Sequence, residues 1–437
     1  MRLTVVLSTL VALSTMTEAH AQTWINLSPV SGPMPSARRN ASAVFDPVEN
    51  RMVIFAGTPS GAASVLNDVW GFDLDTNTWV NLTPAPGPPA PAPRLFPASI
   101  YDPFARQMIM WSGQASGVFF NDVWSFDLTA NTWSQFTPAG GPPNVRYGVG
   151  YTFDPVAREL VTFAGFTNLG RFHDVWRFND QADTWTDVSP GTGPGERCLH
   201  AACYDARRHR MIMYAGQNNF GALDDLWALD LDTDAWTQFT PAVKPSGRFF
   251  ASMIYDAAHH RAVVFGGQTT LSLVNHVWLF DLWTNKWTQA FPGGTLPSPR
   301  AGSAAIYDGA HDRMIVFGGS DGVARNDVWA LTGLSSIVTN APQVIPTLEL
   351  HANHPNPFNP ATTIRFDIGK SGRATLRIYD VHGSLVRTLF DEVRPTGSGA
   401  ATWDGRNDSG HPVSSGVYLY RLTSGGEVRA RKMVLIK

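Results

Sequence analysis

The sequence predicts an all-β protein: a six-bladed β-propeller closed by an N-terminal strand and followed by a small Ig-like β-sandwich. Three observations carry that expectation. Variants of Asn-Asp-Val-Trp recur with their tryptophans at Trp70, Trp124, Trp176, Trp227, Trp278 and Trp329, a period of 51 to 54 residues. A fixed period of that size marks a supersecondary unit that cannot bury its own apolar face and is repeated until the copies bury one another. A second tryptophan follows nine residues behind the first, at Trp79, Trp133, Trp185, Trp236 and Trp287. Helical periodicity is missing throughout, while short apolar runs alternate with Gly, Pro and Asp punctuation, the pattern of strands and tight turns.

Taken from the start, residues 1–21 read as an export signal. Arg2 supplies the positive end, Leu3 to Leu13 is largely apolar, and Ala19-His20-Ala21 has the small-x-small pattern of a cleavage site before Gln22. The apolar run is too short to span a bilayer. An exported chain with only Cys198 and Cys203 does without a disulfide framework. They lie five apart in one predicted strand, on opposite faces, which disfavours a bond between them.

Each repeat then resolves into four segments. The first runs from an arginine to an aspartate eight residues on: Arg38 to Asp46, Arg94 to Asp102, Arg146 to Asp154, Arg197 to Asp205, Arg248 to Asp256 and Arg300 to Asp308. The second is an apolar run ending at glycine, as in Arg51 to Gly57. The third is the Asn-Asp-Val-Trp strand, and the fourth opens with the second tryptophan after an Asp/Asn/Thr turn. Four short strands per unit make a propeller blade. The sixth unit has Val338 where the second tryptophan belongs, and Thr23-Trp24-Ile25-Asn26-Leu27-Ser28-Pro29 matches Thr78 to Pro84 almost position by position. Residues 23–29 are therefore expected to supply the missing outer strand, which also hides the edges an open array would expose. The twelve repeat tryptophans, Trp24 included, are read as packing, each worth at most about 4 to 6 kcal/mol of burial.

The Arg/Tyr-Asp, Gly-Gly, Asn-Asp-Val-Trp and Trp segments resemble kelch repeats across residues 23 to about 332. Gly-Gly itself survives only at Gly266-Gly267 and Gly318-Gly319. After a small, polar, Pro-containing linker at 333–347, the tail at 348–437 reads as short strands over Thr363 to Ile368, Ala374 to Tyr379, Leu385 to Phe390, Val417 to Leu422 and Met433 to Ile436. Its His354-Pro355-Asn356-Pro357-Phe358-Asn359-Pro360, Trp403-Asp404-Gly405-Arg406 and Ser415-Gly416-Val417-Tyr418 motifs resemble the Ig-like domain related to the flagellar hook-capping protein FlgD. That resemblance implies a type IX secretion sorting domain of an exported bacterial protein, and so a secreted or outer-membrane-attached location with the secretion machinery as partner. The predicted organisation is a signal peptide at 1–21, the propeller at 22–332, the linker, and the sorting domain at 348–437.

Composition narrows the partners. A formal charge of -3 and 16% charged residues give no reason to expect nucleic acid, and beyond the signal no apolar run reaches the length of a membrane span. Kelch resemblance brings in the galactose oxidase type of copper radical oxidase, whose site needs a Cys-modified Tyr, a second Tyr and two His. No segment outside the repeat supplies such a set. The one Cys-His grouping, Cys198, His200, Cys203 and His209, is split across the faces of a strand, so no metal and no cofactor are expected. Asp73 to Asn77 and Asp230 to Asp234 carry the odd-position oxygens of a calcium loop without its Gly and Glu, as does Asp404 to Gly410, and all are read as turns. The six first-strand arginines could form a basic ring, but the third strands offer Asp68, Asp122, Asp174, Asp225 and Asp327, with His276 the single departure. Repeated Arg-Asp pairs are the expected use.

Recognition is then expected in the loops between second and third strands. Phe119, Phe120, Phe166, Phe172 and Phe220 look unsupported by the repeat there, and Gln114, Gln217 and Gln268 join them as amide side chains suited to a glycan or protein ligand. A non-catalytic binding or adhesion protein is the leading expectation. The competing class is a secreted carbohydrate-active enzyme, a galactose oxidase-like oxidase or a sugar epimerase or lyase, with acid-base groups drawn from the same loops.

Overall fold

The computed structural model describes residues 22–60, 64–334, 348–368, 372–394 and 397–436. The predicted signal at 1–21 and residues 335–347 of the predicted linker lie outside these residues. Among the described residues every regular element is a β-strand.

Five four-stranded antiparallel sheets follow one another along the chain, each made from the strands of one repeat, with a short two-stranded hairpin between the second and third strands of the second and fourth. The first is Ser42–Asp46, Arg51–Phe55, Val69–Asp73 and Thr78–Asn81. In each, the second strand is a largely apolar run such as Met-Val-Ile-Phe, interrupted only by Thr162 in the third, because both of its faces are covered by neighbouring sheets. The sixth sheet takes Ala304–Asp308, Arg313–Phe317 and Val328–Thr332 from its own repeat and Thr23–Asn26 from the other end of the chain. The pairing is antiparallel and in register, Thr23 with Thr332, Trp24 with Leu331, Ile25 with Ala330 and Asn26 with Trp329. Gly293–Gly294 adds a short parallel pairing outside it.

Packing passes from sheet to sheet and returns. Val53 and Phe55 of the first sheet bury against Met108, Met110 and Trp133 of the second. Equivalent layers join each successive pair, and Trp24 lies in the layer between the fifth and sixth with Phe265 and Met314. Phe317 and Ile315 of the sixth then pack on Met52, Ile54 and Trp79 of the first. Seven of the twelve repeat tryptophans are under a tenth exposed, and Trp70, Trp176, Trp227, Trp236 and Trp278 are half-buried. Trp111 stands where other repeats have Phe55, Phe163, Tyr214, Phe265 and Phe317, so it too is a repeat position, fully buried against Trp185 at 5.1 Å. Leu334 is fully buried in the layer of the fifth and sixth sheets, and its carbonyl accepts from Arg261 Nη2. The packed ring thus reaches two residues into the stretch read as linker.

The tail folds as two facing sheets, one of Glu349–Leu350, Thr362–Ile368 and Gly397–Trp403, the other of Gly372–Tyr379, Leu385–Arg394, Gly416–Ser424 and Glu427–Leu435. Trp403, Phe358, Ile364, Leu376, Tyr420 and Met433 fill the space between them. It docks on the turn after the third strand of the fourth sheet: Arg365 Nη2 donates to both oxygens of Asp232, at 2.9 and 2.8 Å.

Candidate ligand-binding face

The Asn-Asp-Val-Trp motif works as a clamp. In five sheets the first-strand arginine meets the motif aspartate end-on, as Arg94 does with Asp122 at 2.6 and 2.7 Å and Arg300 with Asp327 at 2.6 and 2.9 Å. The same guanidinium donates to two backbone carbonyls, for Arg94 those of Ala92 and Ser112. The second carboxylate oxygen also accepts from the indole Nε1–H of the tryptophan two residues on, at 2.7 Å for Trp124. The motif asparagine ties the Pro-rich connector down, with Asn67, Asn121 and Asn275 donating to the carbonyls of Pro91, Pro143 and Pro297. The arginines are buried and the aspartates only about a quarter exposed. Burial raises the Asp122 carboxyl, but the Arg94 guanidinium and the Trp124 N–H outweigh it and hold the pKa below the usual range.

Two residues past each arginine the backbone turns left-handed, at Asn40, Phe96, Gly148, Leu199, Phe250 and Gly302, with φ between 56° and 68°. These six positions form the neck of the central channel. Backbone N–H groups of Asn40, Phe96, Leu199, Phe250 and Gly302 donate to the carbonyls of Gly302, Asn40, Gly148, Leu199 and Phe250, running around the neck from repeat to repeat. Asparagine and glycine adopt this conformation readily, whereas Phe and Leu do so only under such constraint.

Above the neck, the rings of Phe96 and Phe250 stack across the opening, 5.2 Å apart and 11° from parallel. Tyr147 packs on Phe96 at 5.4 Å and on Phe119 at 5.8 Å, Phe166 meets Tyr147 edge-on, and Phe249 adjoins Phe250. All six are half-buried, so an aromatic band crosses the mouth. Below it lies a channel cavity of about 210 Å³ lined by Ser42, Tyr151, His200, Ser252 and Ser303. His200 is 7% exposed, and neither ring nitrogen has a hydrogen-bond partner. Burial, with the Arg197 charge adding to it, pushes its pKa down to about 3, so the ring is neutral.

Of the residues expected to bind, Phe119 and Phe166 belong to the aromatic band. Gln114, Gln217 and Gln268 bridge by backbone to Leu95, Cys198 and Phe249 in the outer ring of the mouth. Phe120 and Phe172 require a correction. Their rings lie on the Arg94 and Arg146 guanidiniums at 4.2 and 3.8 Å, and their carbonyls accept from Arg146 and Arg197 as those of Leu66, Leu223 and Val274 do from Arg94, Arg248 and Arg300. They fill a repeat position that covers the clamp. Phe96, Tyr147, Phe249 and Phe250 escaped notice in the sequence because they follow the conspicuous arginine, in a segment read as the start of a strand.

The loops are also less irregular than their sequences. Phe220 is almost fully exposed, and so are Leu169 and Leu271, with Val118 and Val323 more than half exposed. These five side chains sit at equivalent loop tips, spaced by 51 or 52 residues.

No metal-competent set forms from the Cys-His grouping. Cys198 and Cys203 are free and buried, His200 faces the channel, and His209 sits between Asp154 and Asp232. The calcium-like stretches are turns, with Asp73 accepting from the N–H of Asp75 and Thr76, Asp230 from those of Asp232 and Thr233, and Asp404 from that of Arg406. Among the described residues no helix is long and apolar enough to cross a membrane.

The successive four-stranded sheets are those of a repeat β-propeller. The chain belongs to the kelch-repeat family: the model described as the KLHDC2/KLHL20/DRC7 Kelch-repeats domain matches residues 7–193 and 150–341. The FlgD Ig-like domain matches residues 360–427. Curated relatives include the flagellar outer-arm dynein alpha chain of Chlamydomonas reinhardtii, 25% identical over 66% of this chain and 7% of that protein. The leucine-zipper-like transcriptional regulator 1 homolog of Drosophila melanogaster is 26% identical over 51% of this chain and 24% of that protein. Human host cell factor 2 is 25% identical over 70% of this chain and 43% of that protein. The chain thus spans less than half the length of each of these relatives.

Proposed function

We propose that this chain is an exported binding protein whose propeller presents its loop face to a protein ligand, and whose tail domain serves secretion or attachment at the cell surface. One observation carries the binding reading: the apolar tips Val118, Leu169, Phe220, Leu271 and Val323 surround the aromatic band of Phe96, Phe250, Tyr147, Phe119 and Phe166. Kelch membership supports a protein partner over a small substrate. Interfaces of this kind place aromatic anchors at the centre and weaker contacts around them. Export rests on the residue pattern at 1–21, and the surface role rests on the FlgD-like tail.

Peptide and glycan arrays probed with the full chain test the binding reading. Peptide ligands lost on combining Leu169→Ser, Phe220→Ser and Leu271→Ser support it. Ligands that the triple variant retains, or glycans alone, contradict it. For the tail, deletion of residues 348–437 should leave the chain inside the cell, and undiminished surface display would refute the sorting role.

A further inference from the structure

The clamp is broken at one place. In the fifth repeat Arg248 is fully buried like its five counterparts and donates to the carbonyls of Ser246 and Gly266, but the residue at the aspartate position is His276. Arg248 makes no ion pair among the described residues. Its remaining neighbours are the Ser246 hydroxyl at 3.4 Å and the hydroxyl of Tyr214, in the position where the other repeats carry Phe or Trp. Trp278 shows the same loss from the other side. Trp70, Trp124, Trp176, Trp227 and Trp329 each give their Nε1–H to the motif aspartate, whereas that of Trp278 is buried without an acceptor.

A desolvated guanidinium and a desolvated indole N–H, both lacking the carboxylate that five sibling sites supply, outline a place that fits a carboxylate. In those siblings one oxygen takes Nη1–H, while the other takes Nη2–H and the indole N–H. The place is reachable, because the sibling aspartates are 20% to 27% exposed and His276 is itself exposed at the foot of the fifth loop. The charge around it favours an anion. His276 lies within electrostatic range of Arg248, and the two acids near Tyr214 are already paired, Asp224 with Lys244 at 2.9 Å and Asp225 with Arg197 at 2.7 Å.

We propose that Arg248 and Trp278 form a carboxylate subsite, filled by an aspartate or glutamate side chain of the partner protein that displaces His276 and restores the sixth clamp. The subsite adds to the apolar loop face a holding point for an acidic side chain. Its test is independent of the unidentified partner, so its failure would leave the loop-face reading standing.

The probe is acetate, with acetamide as the neutral control, titrated into the full chain carrying ¹⁵N-tryptophan. Loss of one indole resonance in Trp278→Phe assigns Trp278. Acetate should move that resonance saturably and acetamide should not. In His276→Asp the resonance should already sit with those of the clamped tryptophans, and acetate should bind at least about tenfold more weakly, the scale of one charge-assisted hydrogen bond. His276→Gln, which supplies no carboxylate, should keep the response. An unmoved resonance in the wild type, or the same acetate response in His276→Asp, would overturn the subsite.

Discussion

Trp24, near the start of the described chain, packs its indole 4.8 Å from the ring of Phe265 in the fifth sheet while its backbone pairs with Leu331 in the sixth. One residue from the N-terminal end thus bridges two units from the far end. Its removal should resemble other large-to-small core changes, so Trp24→Ala is expected to cost about 3 to 5 kcal/mol in chemical denaturation. A negligible shift of the midpoint would mean that the strand contributes nothing to the ring.

The intact clamps should be expensive to break. Asp122→Asn keeps the shape but leaves the buried Arg94 guanidinium without a counter-charge, a loss of about 3 kcal/mol for a pair of this burial. The reverse change at the broken clamp, His276→Asp, should raise the melting temperature. Equal melting of Asp122→Asn and wild type would show that the pair is ornamental.

The tail should respond to pH through His209. Its Nε2 lies 2.7 Å from Asp154 and its Nδ1 2.9 Å from Asp232, and Asp232 in turn holds Arg365, with His354 at 3.6 Å and the Tyr204 ring alongside. Burial disfavours the imidazolium, but the bonds to Asp154 and Asp232 outweigh it and raise the pKa above 6.5. A raised histidine contributes stability that is fully present below pH 6.5 and is lost as pH rises through the folded value. Asp232 is opposed by burial yet pushed down to about 2 by His209 and Arg365, so its contribution is present above about pH 4 and is lost as pH falls toward 2. Stability should therefore decline as pH rises above 6.5, with a slope of up to about 1.4 kcal/mol per pH unit. His209→Gln should be less stable at pH 6 and lack that decline, and an unchanged pH profile would refute the coupling.

The loop tips should be dispensable for folding. Leu169→Ser, Phe220→Ser and Leu271→Ser each replace a side chain already in solvent, so unfolding free energies should stay within about 0.5 kcal/mol of wild type. A cooperative loss in the triple variant would mean that the tips pack together.

The scaffold was legible in the sequence because its tryptophans and arginines sit where the period demands, and the missing partner at Val338 pointed to Trp24. The Arg-Asp pairing was legible too, since both residues recur at fixed offsets. The mouth was not. Phe96 and Phe250 stack across a channel although about 150 residues separate them, and nothing in linear order signals a contact between opposite members of a ring. Of the tips only Phe220 was singled out: Val118, Leu169, Phe220, Leu271 and Val323 differ in identity and in their neighbours, so only their exposure reveals the shared position. Asp232 was read correctly as part of a turn, but its bond to Arg365 depends on how the tail docks.

The claim that the N-terminal strand completes the ring is tested most directly by a cross-link at the seam. Thr23 and Thr332 are register partners, with the Thr332 hydroxyl donating to the Thr23 carbonyl at 3.1 Å, and cross-strand partners lie at about the Cα separation a disulfide needs. Thr23→Cys combined with Thr332→Cys should oxidise to a single intramolecular bond, seen as a 23–332 linked peptide by mass spectrometry, and should raise the melting temperature reversibly with reductant. Two free thiols at these positions under oxidising conditions, with an unchanged melting temperature, would contradict the closed ring.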